Sequence, residues 1–476
     1  MSIDEIATQF GIELADDRAN ELEAEAEAFR ETLDVFEPAD PDNELAKGIT
    51  TGADEYDAFR YQFEYESGDG PLHDLEVAVK DNIAVAGVPM HCGSRSIEFT
   101  PPYNATATAK LLDDGATIVG TTNMDKLAYF TTGETCDFGA AVNPEAEGCV
   151  AGGSSSGSGA AVAAGLVDAA LGTDTGGSVR IPASFCGTVG FKPTYRSVSR
   201  FGFVDLAPSF DHIGTLADSV ETAARVVDSM TGVDVNDPST YARSSGPSVA
   251  DGVGKSVSEL NVGLVAEAFD LSTAPVAETV RNAAEKLSEH GCTVDSVSVP
   301  GYSEIIYALT TIESCEFATL LLNNGHVYGA GTGYSEGWRR VVSEFVSSGD
   351  YGEHLAKSLV INAQLLNATE GKQYVAAQNA RRDFVRTIRS LFETYDALIT
   401  PTTPTPAPEL GDVDTIDDLL ETEANTGPFN LTGHPAISIP AGRVGGRPIG
   451  LQVVAGWNDD PIAARIGSAI ERISTP

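Results

Sequence analysis

Two short stretches crowd glycines and hydroxyl side chains together: AGGSSSGSGAAVAAG at residues 151–165 and GTDTGGSVRIPA at 172–183. A flexible linker would separate two domains, but the helix-forming AAVAAGLV follows the first stretch at once, so it is held between packed elements. A P-loop requires G-x-x-x-x-G-K-[ST], and no lysine stands there; a dinucleotide loop requires a third glycine or alanine where Val162 stands. Gly153-Ser154-Ser155-Ser156-Gly157 does satisfy G-x-S-x-G, with His212 and His434 as candidate bases. That elbow, however, needs a strand running straight into it, and NPEAEGCVA reads as a loop.

The chemistry left is acyl transfer. Gly176 and Gly177, directly before Ser178, let consecutive backbone N–H groups turn into one space, which makes an oxyanion hole beside a hydroxyl nucleophile. Such a serine needs a proton acceptor. Lys80 ends the apolar run LEVAVK, where α/β folds place functional residues. Burial there disfavours the ammonium and leaves a neutral amine able to act as a base. The competing reading pairs Lys80 with Asp81.

Five segments together, VKDNIAVAGVPMHCGS, GATIVGTTNMDKLA, AGGSSSGSGAAVAAG, ALGTDTGGSVRIPASFCGTVGFKPTYRSVSR and NLTGHPAISIPAGRVGGRPIGLQVVAG, resemble the amidase signature family from about residue 70 to the C-terminus. The resemblance implies a Ser–cis-Ser–Lys triad that hydrolyses amides through an acyl-enzyme: Ser178 as nucleophile, Ser154 on a cis peptide as proton relay, Lys80 as base. The 24 residues between Ser154 and Ser178 match the family's register. It further implies an oxyanion hole from the backbone of Thr175, Gly176, Gly177 and Ser178. Ser155, Asp174 and Arg180 are expected to support that network, or else simply to satisfy buried backbone groups. No metal and no cofactor are expected.

Within the family the choice lies between stand-alone amidases and the glutaminase A subunit of tRNA-dependent amidotransferases. Three departures from the glutaminase pattern favour the stand-alone enzyme. The chain reads NMDKLAYFTTGETCDFGA where N-M-D-E-F and T-E-x-S-A-F-G are usual; Arg196 replaces a glycine in TYRSVSR; and R-R-I-x-L-G-T-Y has no clear counterpart between Trp338 and Leu366. DHIGT at 211–215 also lacks the proline usual in both groups. The expectation is therefore a small-molecule amide as substrate and no nucleic-acid partner, the alternative being the glutaminase subunit; a homodimer is compatible with the family. The substrate pocket should draw on 124–136, 310–365 and the loop near Asn425–Asn430.

These residues need a scaffold. LEVAVKDNI alternates like a strand, ATATAKLLDDG reads as a helix with a glycine stop and TIVGTTN as another strand; the rhythm returns at NVGLVAEAF, VAETVRNAAEKLSEHG and CTVDSVSVP. That predicts an α/β fold with a central mixed, mostly parallel β-sheet flanked by helices. Residues 3–36 carry apolar positions at helical spacing, so 1–65 is expected to be an N-terminal helical extension and 66–476 the amidase signature domain. Residues 233–258 read as a polar connection and TPTTPTPAPE as a rigid surface turn.

The totals agree with a folded globular chain: 476 residues, 42% hydrophobic and 21% charged. Seventy acidic residues against 29 basic ones give a formal net charge of −41. The acids are spread along the whole chain, which predicts a solvated acidic surface suited to high salt, where self-repulsion is screened within about 3 Å at 1 M. Six cysteines without C-x-x-C or Cys/His spacing read as buried apolar residues. No uninterrupted apolar run reaches the ~18 residues of a membrane span, and the acidic start lacks the features of an export signal, so a cytoplasmic enzyme without membrane association is expected.

Overall fold

The computed structural model describes residues 2–33, 43–66, 68–242, 246–326, 335–413 and 416–474. Two compact units divide between Pro41 and Asp42. The first contains the helices Ile3–Gln9 and Asp16–Leu33, the former opened by a reciprocal cap between Ser2 and Glu5. The expected helical signal beyond Leu33, at 34–36, lies outside the described residues.

The second unit holds a 12-stranded sheet. Its strands are β1 (Lys47–Thr51), β2 (Phe59–Tyr65), β3 (Glu76–Lys80), β4 (Thr117–Thr122), β5 (Ala169–Asp174), β6 (Val189–Lys192), β7 (His212–Ala217), β8 (Asn261–Val265), β9 (Thr293–Val297), β10 (Ala397–Pro401), β11 (Ala436–Val444) and β12 (Arg447–Ala455). They lie in the order β1-β2-β4-β3-β5-β7-β6-β11-β12-β10-β8-β9. Because β1 and β2 belong to this sheet, the expected boundary at residue 65 moves back to 41.

The fold is α/β and the sheet is mixed, but parallel pairing is narrower than expected. It joins β3 to β4 and β5, and β8 to β9 and β10; the run β5-β7-β6-β11-β12-β10 is antiparallel throughout. The strand–helix–strand segments recognised in the sequence are the parallel ones, since a crossover needs a helix-length connection. The antiparallel centre comes from strands brought together across long stretches of chain. One hairpin did carry a local signal: β11 and β12 are joined through Gly445 and Gly446, both with positive φ (59° and 84°), the backbone a tight two-residue turn requires.

The site is set by where parallel strands end. Lys80 pairs with Thr122 across β3 and β4, and Val79 with Leu171 across β3 and β5. The carboxyl ends of three neighbouring strands therefore open on one edge, where α/β sheets bind ligands. The glycine-serine block supplies the loop above that edge and then the helix Ser156–Ala163, almost wholly buried. Its small residues are what allow it in. A Cβ at Gly157 would overlap the carbonyl of Ala58, and one at Gly159 would stand 3.0 Å from Pro182 Cβ in the next helix, Arg180–Cys186. Ser158 Oγ donates to Leu171 O at 2.9 Å and lies 2.7 Å from Thr122 Oγ1, bolting the helix to β5 and β4.

Helix Ile305–Leu322 has the length and composition to cross a bilayer, but two-thirds of it is buried in the fold, as a core helix would be. The six cysteines are free and buried. Of the polar connection 233–258, residues 243–245 lie outside the described residues.

Candidate active site

Lys80 sits at the end of β3 with its side chain fully buried. Its Nζ donates to Ser154 Oγ and to Thr173 Oγ1, both at 2.8 Å. Burial presses the Lys80 pKa down to about 7, against the pull of the Asp125 and Asp174 carboxylates, which favour the ammonium. The competing ion pair with Asp81 does not form: Asp81 Oδ2 accepts from the His91 amide instead, and burial raises its own pKa to about 7. The peptide between Gly153 and Ser154 is cis. A Cβ on Gly153 would overlap Asp125 Oδ2, so the residue before Ser154 has room for glycine alone.

Ser178 stands at the head of the next loop, nearly buried, and its hydroxyl makes no hydrogen bond among the described residues. The amide groups of Thr175, Gly176, Gly177 and Ser178 likewise donate to nothing among the described residues. Four uncommitted N–H groups beside a free hydroxyl form a nest suited to a developing oxyanion. Gly177 adopts φ +145°, and a side chain there would collide with Thr426. Thr175 is anchored from beneath: its Oγ1 donates to Asp211 Oδ1 at 2.6 Å, while Asp211 Oδ2 accepts from the amides of Leu206 and Ala207.

Asp174 and Arg180 frame this loop. The guanidinium grips the carboxylate with two bonds, Nε to Oδ2 at 2.9 Å and Nη2 to Oδ1 at 2.8 Å, and both side chains are fully buried. Arg180 also donates to Thr426 O, Asn430 Oδ1 and Gln452 Oε1. Burial alone would raise the Asp174 pKa, but Arg180 overrides it and holds the carboxyl well below its usual range. Ser155 Oγ bonds both the N–H and the C=O of Thr173 at 3.3 Å, tying the first loop to β5. Of the elbow's candidate bases, His212 lies 3.2 Å from Asp174 O and 3.3 Å from Lys192 Nζ, and His434 stacks between Phe392 and Trp457.

Thr173 and Asp125 join the site without a motif role of their own. Thr173 shares the Lys80 amine with Ser154. Asp125 accepts from Gly133 N, Thr135 N and Thr135 Oγ1, bracing the wall beside Gly153. Their sequence signal is membership of the NMD and GTDT motifs, in which no spacing rule assigns them work. The Lys126 departure acquires a partner, Asp137 Oδ1 at 2.7 Å, and Arg196 adopts φ +67°, the backbone for which glycine is suited at that position.

A cavity of about 260 Å³ lies against these loops. Thr131 and Glu423 are in its wall; Thr131 O accepts from Gly153 N, and the Glu423 carboxyl would stand 2.7 Å from a Cβ on Gly176. Tyr129 and Thr131 from 124–136 and Thr310, Glu313 and Asn362 from 310–365 line this cavity; residues 327–334 lie outside the described residues. The third wall comes from Leu419, Leu420 and Glu423 instead of the Asn425–Asn430 loop, because Asn425 and Asn430 are turned to Ala268, Ser272 and Asp174.

A buried amine against one serine, and a second serine on a loop of open amides, define a hydrolase-type centre on an α/β sheet. Comparison with known proteins is consistent with it: the amidase family profile matches residues 43–462. The chain belongs to the amidase family, and is an amidase-family hydrolase. It is 43% identical over 409 residues to the A subunit of glutamyl-tRNA(Gln) amidotransferase from Natronomonas pharaonis, covering 84% of this chain and 96% of that one. The corresponding Haloarcula marismortui protein is 41% identical over 413 residues, covering 84% and 96%. Among solved structures, the A subunit of the Thermotoga maritima glutamyl-tRNA(Gln) amidotransferase superposes with a TM-score of 0.74 at 29% identity, covering 100% of this chain and 95% of that one. A peptide amidase from Stenotrophomonas maltophilia gives 0.69 at 27%, covering 85% and 83%.

Proposed function

We propose that this chain releases ammonia from a carboxamide through an acyl-enzyme, as the glutaminase A subunit of a tRNA-dependent amidotransferase working in the cytoplasm. The chemistry is carried by one observation: a buried lysine, its pKa lowered to about 7, bonded to Ser154 beneath a loop whose amides and Ser178 hydroxyl are uncommitted among the described residues. Ser178 Oγ attacks the carbonyl carbon, and its proton passes through Ser154 to the Lys80 amine. The carbonyl oxygen, now an oxyanion, turns to the amides of Thr175 to Ser178. Collapse breaks the C–N bond, and the proton returns to the leaving nitrogen. Water then cleaves the Ser178 ester by the same relay in reverse. Asp174, through Arg180, holds the loop and does not touch the reacting atoms.

Membership of an amidotransferase is supported by relatives of 43% and 41% identity that are matched over nearly their full length, and it displaces the stand-alone reading favoured by the sequence departures. One observation keeps that second reading in play: among the described residues, no arginine, lysine or histidine lines the cavity, so no cationic side chain there meets the carboxylate of free glutamine. Ammonia release by the isolated chain from glutamine and from simple amides, measured with and without the other amidotransferase components and charged tRNA, separates the two. Glutamine turnover only in the assembled complex supports the amidotransferase role; turnover of simple amides by the chain alone supports the stand-alone enzyme.

A further inference from the structure

A second cavity, of about 350 Å³, shares no lining residue with the one beside the catalytic loops. Its walls come from residues 194–196, from residues 431–433 and from the helix Lys372–Leu391. On that helix Arg381, Val385 and Arg389 recur every four residues along one face. The first two line the cavity, and Arg389 Cζ lies 4.9 Å from the ring centroid of Trp457, another lining residue. The chain carries 70 acidic residues against 29 basic ones, yet among the described residues no carboxylate lines this space. Arg196, Arg381 and Arg389 have no ion-pair partner among them either. Arg381 commits three of its five N–H groups, to Leu431 O and to the hydroxyl and carbonyl of Ser209, and keeps two. Glu316, whose charge bears on Arg381, is itself taken up by the Ser209 amide and the Tyr374 hydroxyl. Arg196 makes no hydrogen bond among the described residues and holds φ +67°, a backbone that an arginine adopts only at a cost. The buried hydroxyls of Thr432 and Ser239, both on the cavity wall, also lack a partner among them, where buried polar atoms ordinarily have one.

We infer that this cavity binds a phosphate monoester, its phosphoryl group between Arg196 and Arg381 and its organic part against Val385, Leu431 and Trp457. Two guanidiniums match the double charge of such a group, and their forked N–H donors with two hydroxyls suit three terminal oxygens better than the two of a carboxylate. The cavity falls in the roughly 300–1,000 Å³ range of small-molecule sites, more room than a bare oxyanion fills. Its floor touches the catalytic frame without sharing a reacting group: Asn430, beside Leu431, bonds Asp174 and Arg180. The inference goes beyond amide hydrolysis and stands whether or not that reading holds.

Three probes test this by calorimetric titration of the full chain in molar KCl: phenyl phosphate, inorganic phosphate as the head alone, and benzoate as a carboxylate on the same ring. Phenyl phosphate should bind about tenfold or more tighter than benzoate, and about threefold or more tighter than inorganic phosphate. Arg196→Gly, which suits the positive φ, should weaken phenyl phosphate about tenfold or more, and Thr432→Val about threefold or more. Neither side chain hydrogen-bonds another group among the described residues, so both variants should melt within a few degrees of the wild type. Benzoate or inorganic phosphate binding as tightly as phenyl phosphate overturns the inference. So does the absence of any binding, or an affinity for phenyl phosphate that Arg196→Gly leaves unchanged. The wild-type ranking of the three probes needs no variant to fold.

Discussion

Lys80 and Lys192 are both fully buried lysines whose pKa burial lowers to about 7, yet they face different company. Lys192 donates to the carbonyls of Pro193 and His434; Lys80 faces two hydroxyls and can take a proton from one. A base must be neutral to work, so kcat/KM should climb as pH rises through about 7 and level off above it. A pH–rate profile flat from pH 5 to 9 would remove Lys80 from that role. Ser178→Ala should cut turnover by at least about 10³-fold while leaving the thermal midpoint within a few degrees, since its hydroxyl supports no other group; steady-state rates and a melting curve check both. That Lys80, Ser154 and Ser178 should be singled out was legible from the motif resemblance, with the 24-residue register between the two serines beside it. Thr173, Asp125 and Asp211 were not, because their roles depend on which atoms converge in space: Asp125 reaches Gly153 from 28 residues away in the chain.

At the scale of elements, small residues and one ion pair carry the architecture. Gly157→Ala would drive a methyl into the Ala58 carbonyl, backbone that cannot swing aside. It should cost about 2 kcal/mol or more, read as a lower midpoint in a denaturant titration. Arg180→Met leaves Asp174 as an unpaired buried charge and should cost roughly 3–5 kcal/mol, together with most activity. Retention of full stability by that variant would show that the pair does not organise the loop. The alanine-rich helix and the strands at LEVAVK and TIVGTT were readable from composition and periodicity, which are local. Sheet order was not: β5, β7, β6 and β11 become neighbours across more than two hundred residues, and alternation within a strand does not say which partner lies beside it. The same limit placed β1 and β2 outside the domain: β1 is an edge strand with exposed polar positions, and nothing in the sequence of β2 names β4 as its inner partner.

Across the whole molecule the dominant quantity is the charge of −41. Self-repulsion on that scale opposes the compact state unless counter-ions screen it, so the thermal midpoint should rise by about 10 °C or more between roughly 0.1 and 2 M KCl. A midpoint independent of KCl would leave the acidic surface without a stabilising condition. Arg180 has a consequence of another kind. Its partners Thr426, Asn430 and Gln452 lie 246 to 272 residues further along the chain. The nucleophile loop is thus translated long before the groups that hold its frame. A chain still on the ribosome, or one cut short before residue 426, carries Lys80, Ser154 and Ser178 without the contacts of Arg180 to Thr426, Asn430 and Gln452. A copy ending before residue 426 should therefore release no ammonia from amides, and turnover by such a truncated chain would show that the loop holds its setting without those contacts.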